Sequence, residues 1–325
     1  MNKYIKKFKS QEELLNFVNS PDYITPNLYL VEGLGTVSAK KLEPLAIKVI
    51  SGSVEPKSGN GCAAGVRLLI PSEITSNQLD YVEFSVDDGK TWERYTVPDT
   101  PHEDISFGPT NLCEGDIVLF RGKGRTLVTE SEEEDWIGCQ FVFDNVNEAQ
   151  CRGDVLSLLN VPLDLYKSFI QKSSKSRSAD DNGQFWGLFE NAPITIMPKL
   201  IDDALFARDF FGNGEFYQGM FANSRIGEVF LPSKYVPSGC YDYMFDGCQN
   251  IDEITILAEE WEDEEFPTNM FNNTNIFSST INLYIPKKMF SWYKDEQGVI
   301  SSAWNVYDYE TKEVLQQGEV PVLEN

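Results

Sequence analysis

The stretch GCYDYMFDGCQNI, Gly239 to Ile251, places three aromatic residues, a methionine and two cysteines within thirteen positions. Tyr241, Met244 and Phe245 stand at i, i+3 and i+4, which predicts one face of a helical turn, and Cys248 continues that face. Cys240 and Cys248 are compatible with a metal clip, a disulfide, a reactive thiol or plain packing. Internal comparison decides among these. FWGLF ends at Phe189, FYQGMF at Phe221, YDYMF at Phe245 and PTNMF at Phe271, at spacings of 32, 24 and 26 residues. A strand signature follows each: ITIMP (194–198), EVFLP (228–232), ITILA (254–258) and INLYIP (281–286). One such unit cannot bury its apolar side alone. Stacking the strands into a parallel sheet, with the aromatic segments stacked behind it, gives a continuous core. The predicted core positions are Phe185, Leu188, Phe189, Tyr217, Met220, Phe221, Tyr241, Met244, Phe245, Cys248, Met270 and Phe271. Ala192, Ser224 and Thr274 stand where Cys248 stands, so a small buried spacer fits that position better than a metal ligand.

Upstream the pattern is different. LAIKVISG, VRLLIPS, DYVEFSVDDGKTWERYTV, DIVLFRG and CQFVFDN are short β-branched and aromatic runs separated by Gly, Pro, Asn and Asp. Tyr81–Val86 and Thr91–Tyr95 flank DDGK, a tight-turn signal. Strands at this spacing predict an antiparallel β-sandwich. Before them, Ser10 and Glu13 form a capping pair ahead of Leu14, Leu15, Phe17 and Val18, predicting a short helix. Two short strands are expected at Asn27–Val31 and Gly35–Ser38. The expected organisation is a small module over 1–42, a sandwich over 43–165, a polar linker over 166–184, a repeat domain with a C-terminal cap over 185–310, and a tail over 311–325. The fold class is therefore mainly β with short helices.

Composition narrows the function. The 325 residues carry 51 acidic against 27 basic side chains, a net charge of −24, which repels nucleic acid and anionic membranes. No apolar run approaches the ~18 residues of a membrane span. The N-terminus lacks the apolar core of a secretory signal, so synthesis and folding in a cytoplasm are expected. The six cysteines form no C-x-x-C pair and are expected free and buried.

GCYDYMFDGCQNIDEITI together with LPSKYVPSGCYDYMF resembles the BspA-like leucine-rich repeats of Bacteroides and their phages. YIPKKMFSWYKDEQGVISSAWNVY (284–307) is similar to the closing segment of such arrays, in which a short helix caps the solenoid. VEFSVDDGKTWERY, EGDIVLFRG and GDVLSLL resemble the β-sandwich that often precedes them. IKKFKSQEELLNFVNSPDYITPNLYLVEGLGTVSA is similar to a short N-terminal module of crAss-like phage virion proteins. The array departs from the family in an insertion, DDALFARDFFGNGE, and in Asn272-Asn273 where Gly-Cys is usual.

The resemblance implies a non-enzymatic virion protein, a head fibre or decoration subunit in preference to a tail fibre. It would dock through residues 1–42 and present the repeat domain to capsid or fibre subunits or to host surface glycan, as a homo-oligomer. A cell-surface adhesin is the alternative. A polysaccharide depolymerase working with two carboxylates is a second one. The lone His102 supports no nucleophile triad, and no phosphate loop or cofactor motif is present, so no catalytic residue, cofactor or metal is expected. In AEEWEDEEF (258–266), Trp261 with Glu259, Glu260 and Glu262 forms a candidate partner surface, on the expectation that the ring is exposed. Calcium ligand spacing is undefined there.

Overall fold

A computed structural model describes residues 6–8, 27–31, 35–39, 42–52, 62–124, 126–130, 136–159, 184–200, 216–262 and 265–318. The helix expected after Ser10 lies outside them, as do the polar segment 171–183 and the acidic run 131–135. Near the N-terminus β1 (Lys6–Phe8) pairs in parallel with β2 (Asn27–Val31), which pairs antiparallel with β3 (Gly35–Ala39). The strands β4 (Leu45–Gly52), β5 (Gly65–Ile70), β6 (Leu79–Ser85), β7 (Glu93–Thr96), β8 (Ile105–Phe107) and β9 (Ile117–Gly124) follow. Next come β10 (Val128–Glu130), β11 (Trp136–Gly138), β12 (Gln140–Asp144) and β13 (Val146–Arg152). The later strands are β14 (Ile194–Ile196), β15 (Glu228–Leu231), β16 (Tyr235–Val236), β17 (Glu253–Ile256), β18 (Glu260–Trp261), β19 (Asn282–Ile285), β20 (Asn305–Asp308) and β21 (Val314–Gln316). Helical structure among the described residues is confined to short pieces such as Val155–Leu158, Thr268–Phe271 and Trp292–Glu296.

Period-two burial explains the early strands. Leu45, Ile47 and Val49 of β4 are buried while Lys48 is exposed. The β6–β7 hairpin turns through Asp88 (φ 62°) and Gly89 (φ 77°), both left-handed, as a primed turn matched to strand twist requires. One large mixed sheet carries the chain, in the order β21-β20-β19-β17-β15-β14-β13-β4-β9-β6-β7. From β4 to β7 the pairings are antiparallel, and from β13 through β20 they are parallel. β13 is the junction: its Ala149 faces Val49 of β4 on one side and Ile194 of β14 on the other. The sheet thus crosses the expected linker, and part of the expected tail is β21, antiparallel to β20. A second sheet, β12-β5-β8, meets the first through Phe120–Phe141 and Phe84–Phe107, both with ring centroids 5.0 Å apart.

Two expectations are corrected here. Cys62 and Cys113 are joined in a disulfide, so the six cysteines are not all free. Ala64 and Leu112 exchange N–H···O bonds (3.2 and 2.8 Å), bringing the neighbouring cysteines to a Cα separation of 4.8 Å, within bridging range. The four remaining thiols, Cys139, Cys151, Cys240 and Cys248, are free and buried.

The aromatic segments are tight turns and not helical turns. Met244 N–H donates to Tyr241 O and Cys248 N–H to Phe245 O, both at 3.1 Å, but the Phe245 N–H leaves its own turn for Met270 O at 2.9 Å. The same bond recurs from Phe221 to Met244 O (2.9 Å), Phe189 to Met220 O (2.8 Å) and Phe141 to Leu188 O (2.8 Å). Phe141, Phe189, Phe221, Phe245 and Phe271 consequently stack in one file, with centroids 5.0, 5.5, 5.7 and 5.6 Å apart and planes within 13° of parallel. All the predicted core positions from Phe185 to Phe271 are buried.

The turn geometry demands left-handed backbone at two places in each of the first three units and at one place in the fourth. Two residues after each phenylalanine stand Asn191, Asn223, Gly247 and Asn273, with φ between 53° and 71°. Two residues before it stand Gly187 and Gly219, both at φ 61°, and Tyr243 at φ 54°. Tyr243 is 43% exposed and occupies, with a bulky side chain, a conformation glycine adopts without strain. Tyr243→Gly should therefore raise stability by about 1 kcal/mol in a denaturant titration. A destabilised variant would show that the side chain outweighs the strain.

Candidate functional site

The β16–β18 pair sets the surroundings of Trp261. Val236 pairs with Trp261 and Tyr235 with Glu260, and strand alternation sends Glu260 outward and Trp261 inward. Trp261 is only 7% exposed, which corrects the expectation of a free ring. It meets Tyr241 and Phe266 edge-on, stacks on Trp292, and donates its indole N–H to Tyr293 Oη at 3.2 Å. The three glutamates expected beside it diverge. Glu259 pairs with Lys288 and with Lys234, and the Lys288 hydrogen bond, first among the causes, holds its carboxyl below the usual range. Glu260 is exposed, and Glu262 accepts the Ser238 N–H at 3.1 Å.

A cavity of about 400 Å³ opens beside Trp261, lined in part by Tyr241, Asp242, Glu262, Glu265, Phe266 and Asn269. Its origin is visible in the units. Phe185, Tyr217 and Tyr241 form a second file of stacked rings, four residues ahead of the phenylalanine file, at 5.6 and 6.1 Å. The next unit has Pro267 at that position and Asn269 where glycine or Tyr243 stands, so the file ends at Tyr241. Tyr241 is completely buried, and among the described residues neither its hydroxyl nor Asn269 Oδ1 meets a hydrogen-bond partner. Burial pushes the Tyr241 phenol well up, so it stays neutral. The sequence flags Trp261 and Glu262 here. It gives no signal for the Tyr241 hydroxyl or for Asn269.

Another recess, of about 500 Å³, lies on the antiparallel part, lined by Tyr81, Trp92, Arg94 and Arg121 among others. Arg94 lies 3.9 Å over the Tyr81 ring and Arg121 3.8 Å over Trp92. Both guanidinium groups also pair with buried Glu83, each at 2.6 Å, because Glu83 faces Arg94 on β7 and Arg121 on β9. Carboxylate, cations and rings satisfy one another, which makes this a staple across three strands.

Burial keeps the four free thiols protonated, pushing Cys139 up to about 12 and raising Cys151, Cys240 and Cys248 as well. His102 has both ring nitrogens at hydrogen-bond distance from main-chain carbonyls, Glu103 O at 2.7 Å and Ile74 O at 3.0 Å. That ring ties two loops together. Among the described residues no group of three or more His, Cys, Asp or Glu is placed to hold a metal ion, and no helix is long and apolar enough to cross a membrane. No family model matches the chain, and neither a curated protein nor a solved structure gives a significant match.

A thiol whose ionisation is pushed upward stays protonated at pH 8 and reacts slowly. Maleimide at pH 8 should leave the native protein unlabelled, then modify the four free thiols in urea and all six after reduction. Rapid native labelling would contradict the burial described.

Proposed function

We propose that the chain is a non-enzymatic structural protein of a phage particle, a head fibre or decoration subunit. On this reading residues 1–42 dock onto the particle, residues 43–165 are an antiparallel β-sandwich, and residues 185–310 form a BspA-like solenoid. The solenoid presents a surface to neighbouring capsid or fibre subunits or to host glycan. The observation that carries the reading is the in-register file from Phe141 to Phe271, which joins the antiparallel and parallel parts through one sheet and one stack. On this reading the stacked array would hold a displayed end away from an attachment end. A symmetric oligomer would multiply weak contacts made at the displayed end.

A display role also accounts for the chemistry at hand. The buried thiols and the engaged His102 leave no assembled nucleophile and base among the described residues. The −24 charge suits a solvated surface held at high local density. The Cys62–Cys113 bridge suits a final location outside a reducing cytoplasm, on a particle or on a cell. It is therefore also the one observation that favours the second reading, a bacterial cell-surface adhesin.

Deletion of residues 1–42 from the protein encoded in the phage should remove it from purified particles, as read by mass spectrometry of their proteins. Incorporation at the normal level would overturn the docking role.

A further inference from the structure

We propose that the recess lined by Arg94 and Arg121 is a binding site for a carboxylate carried on an apolar stem. The staple across β6, β7 and β9 leaves donors unused. Glu83 accepts the Nε–H of Arg121 at 2.6 Å and, from Arg94, the Nε–H at 2.8 Å and an Nη2 contact at 2.6 Å. A guanidinium group carries five N–H donors, so those on Nη1 and Nη2 of Arg121 remain. Among the described residues none of them meets an acceptor. The Arg121 side chain is 34% exposed and lines a recess of about 500 Å³, so the group is accessible to a guest.

The fork is also held ready. Trp92 donates its indole N–H to Gly89 O at 3.0 Å, and Arg121 lies 3.8 Å over that ring. The ring fixes the guanidinium plane, and the Nε–H bond to Glu83 fixes its rotation within that plane. Nη1 and Nη2 then present two parallel N–H groups, the pattern a carboxylate matches with its two oxygens. Charge agrees with this. Two guanidinium groups share one buried carboxylate, which leaves a positive charge over on a chain of net charge −24. Asp88, exposed on the hairpin turn, is the acid among the lining residues, and water screens it. Leu42, Pro44 and Leu119 supply an aliphatic wall for the stem. Each guanidinium covers a face of its ring, so the recess suits a hydrocarbon stem better than a sugar that stacks on a bare ring. The site depends only on the antiparallel part of the fold and not on any role in a particle.

The test is calorimetric titration of the full chain with sodium hexanoate, using hexanamide as the neutral isostere. Saturable binding of the carboxylate is expected, and none of the amide. Arg121→Lys keeps a cation facing Glu83 but removes the fork, so affinity should fall about tenfold or more, the loss that goes with one charged hydrogen bond. Asp88→Asn tolerates the left-handed turn and removes the opposing charge, so affinity should rise. No saturable binding of hexanoate, equal binding of hexanamide, unchanged affinity in Arg121→Lys, or no rise in Asp88→Asn would overturn the assignment. Tighter binding of glucuronate than of hexanoate would overturn the apolar stem and point to an acidic sugar. Acetyl-Ala-Leu, compared with its C-terminal amide, separates the sources. Tighter binding of this peptide than of hexanoate assigns the carboxyl end of a partner's chain, and weaker binding assigns a free monocarboxylate.

Discussion

The phenylalanine N–H that leaves its own turn for the next one is the constraint on which the rest depends. Because Phe189, Phe221 and Phe245 each donate to the carbonyl just before the following phenylalanine, the rings are forced into one file. The file fixes the distance between units, and the following strands then pair in parallel without slipping, with Val229, Ile254 and Leu283 in register. In the first three units the turns accommodate left-handed residues on both sides of the ring, and in the fourth after it, which explains the asparagines and glycines there. A small side chain must follow three residues later. At Cys248 the sulfur lies 3.2 Å from Phe221 O, leaving no room for a larger group.

Phe141 extends that constraint into the antiparallel part. It contacts Phe120 on one side and stacks at 5.0 Å on Phe189 on the other, while its N–H donates to Leu188 O. Together with the β13–β14 pairing, this makes the junction a packed core and not a hinge. Where a file stops, space appears. The second ring file ends at Tyr241, because the next unit has Pro267 at that position, and the cavity opens beside it.

Much of this was legible in the sequence, for a physical reason. The unit strands were readable because Val229, Leu231, Ile254, Ile256, Leu283 and Ile285 concentrate apolar residues between turn signals, and their positions match the structure within a residue or two. The DDGK hairpin was readable because its turn needs φ > 0. β13 was not, since its buried positions are Val146, Ala149 and Cys151 among Glu, Gln and Arg. Phe141 belongs to no visible unit, and only its backbone bond places it in the file. The i, i+3, i+4 spacing of Tyr241, Met244 and Phe245 suggested a helix, yet a four-residue turn closed by Met244 N–H and Tyr241 O brings the same side chains together. Trp261 was misread because its acidic neighbours resemble an exposed loop, whereas the pairing with Val236 turns it inward. The Cys62–Cys113 contact spans 51 residues and leaves no local trace.

The central claim is that the file from Phe141 to Phe271 makes the antiparallel and parallel parts one cooperative unit. Amide hydrogen exchange of the intact protein across a urea series tests it most directly. The account predicts that the slowest amides of β4 and β9 and those of β17 and β19 open with the same free energy and the same urea dependence. Two distinct opening steps, with the β17–β19 amides released while β4 and β9 remain protected, would contradict it.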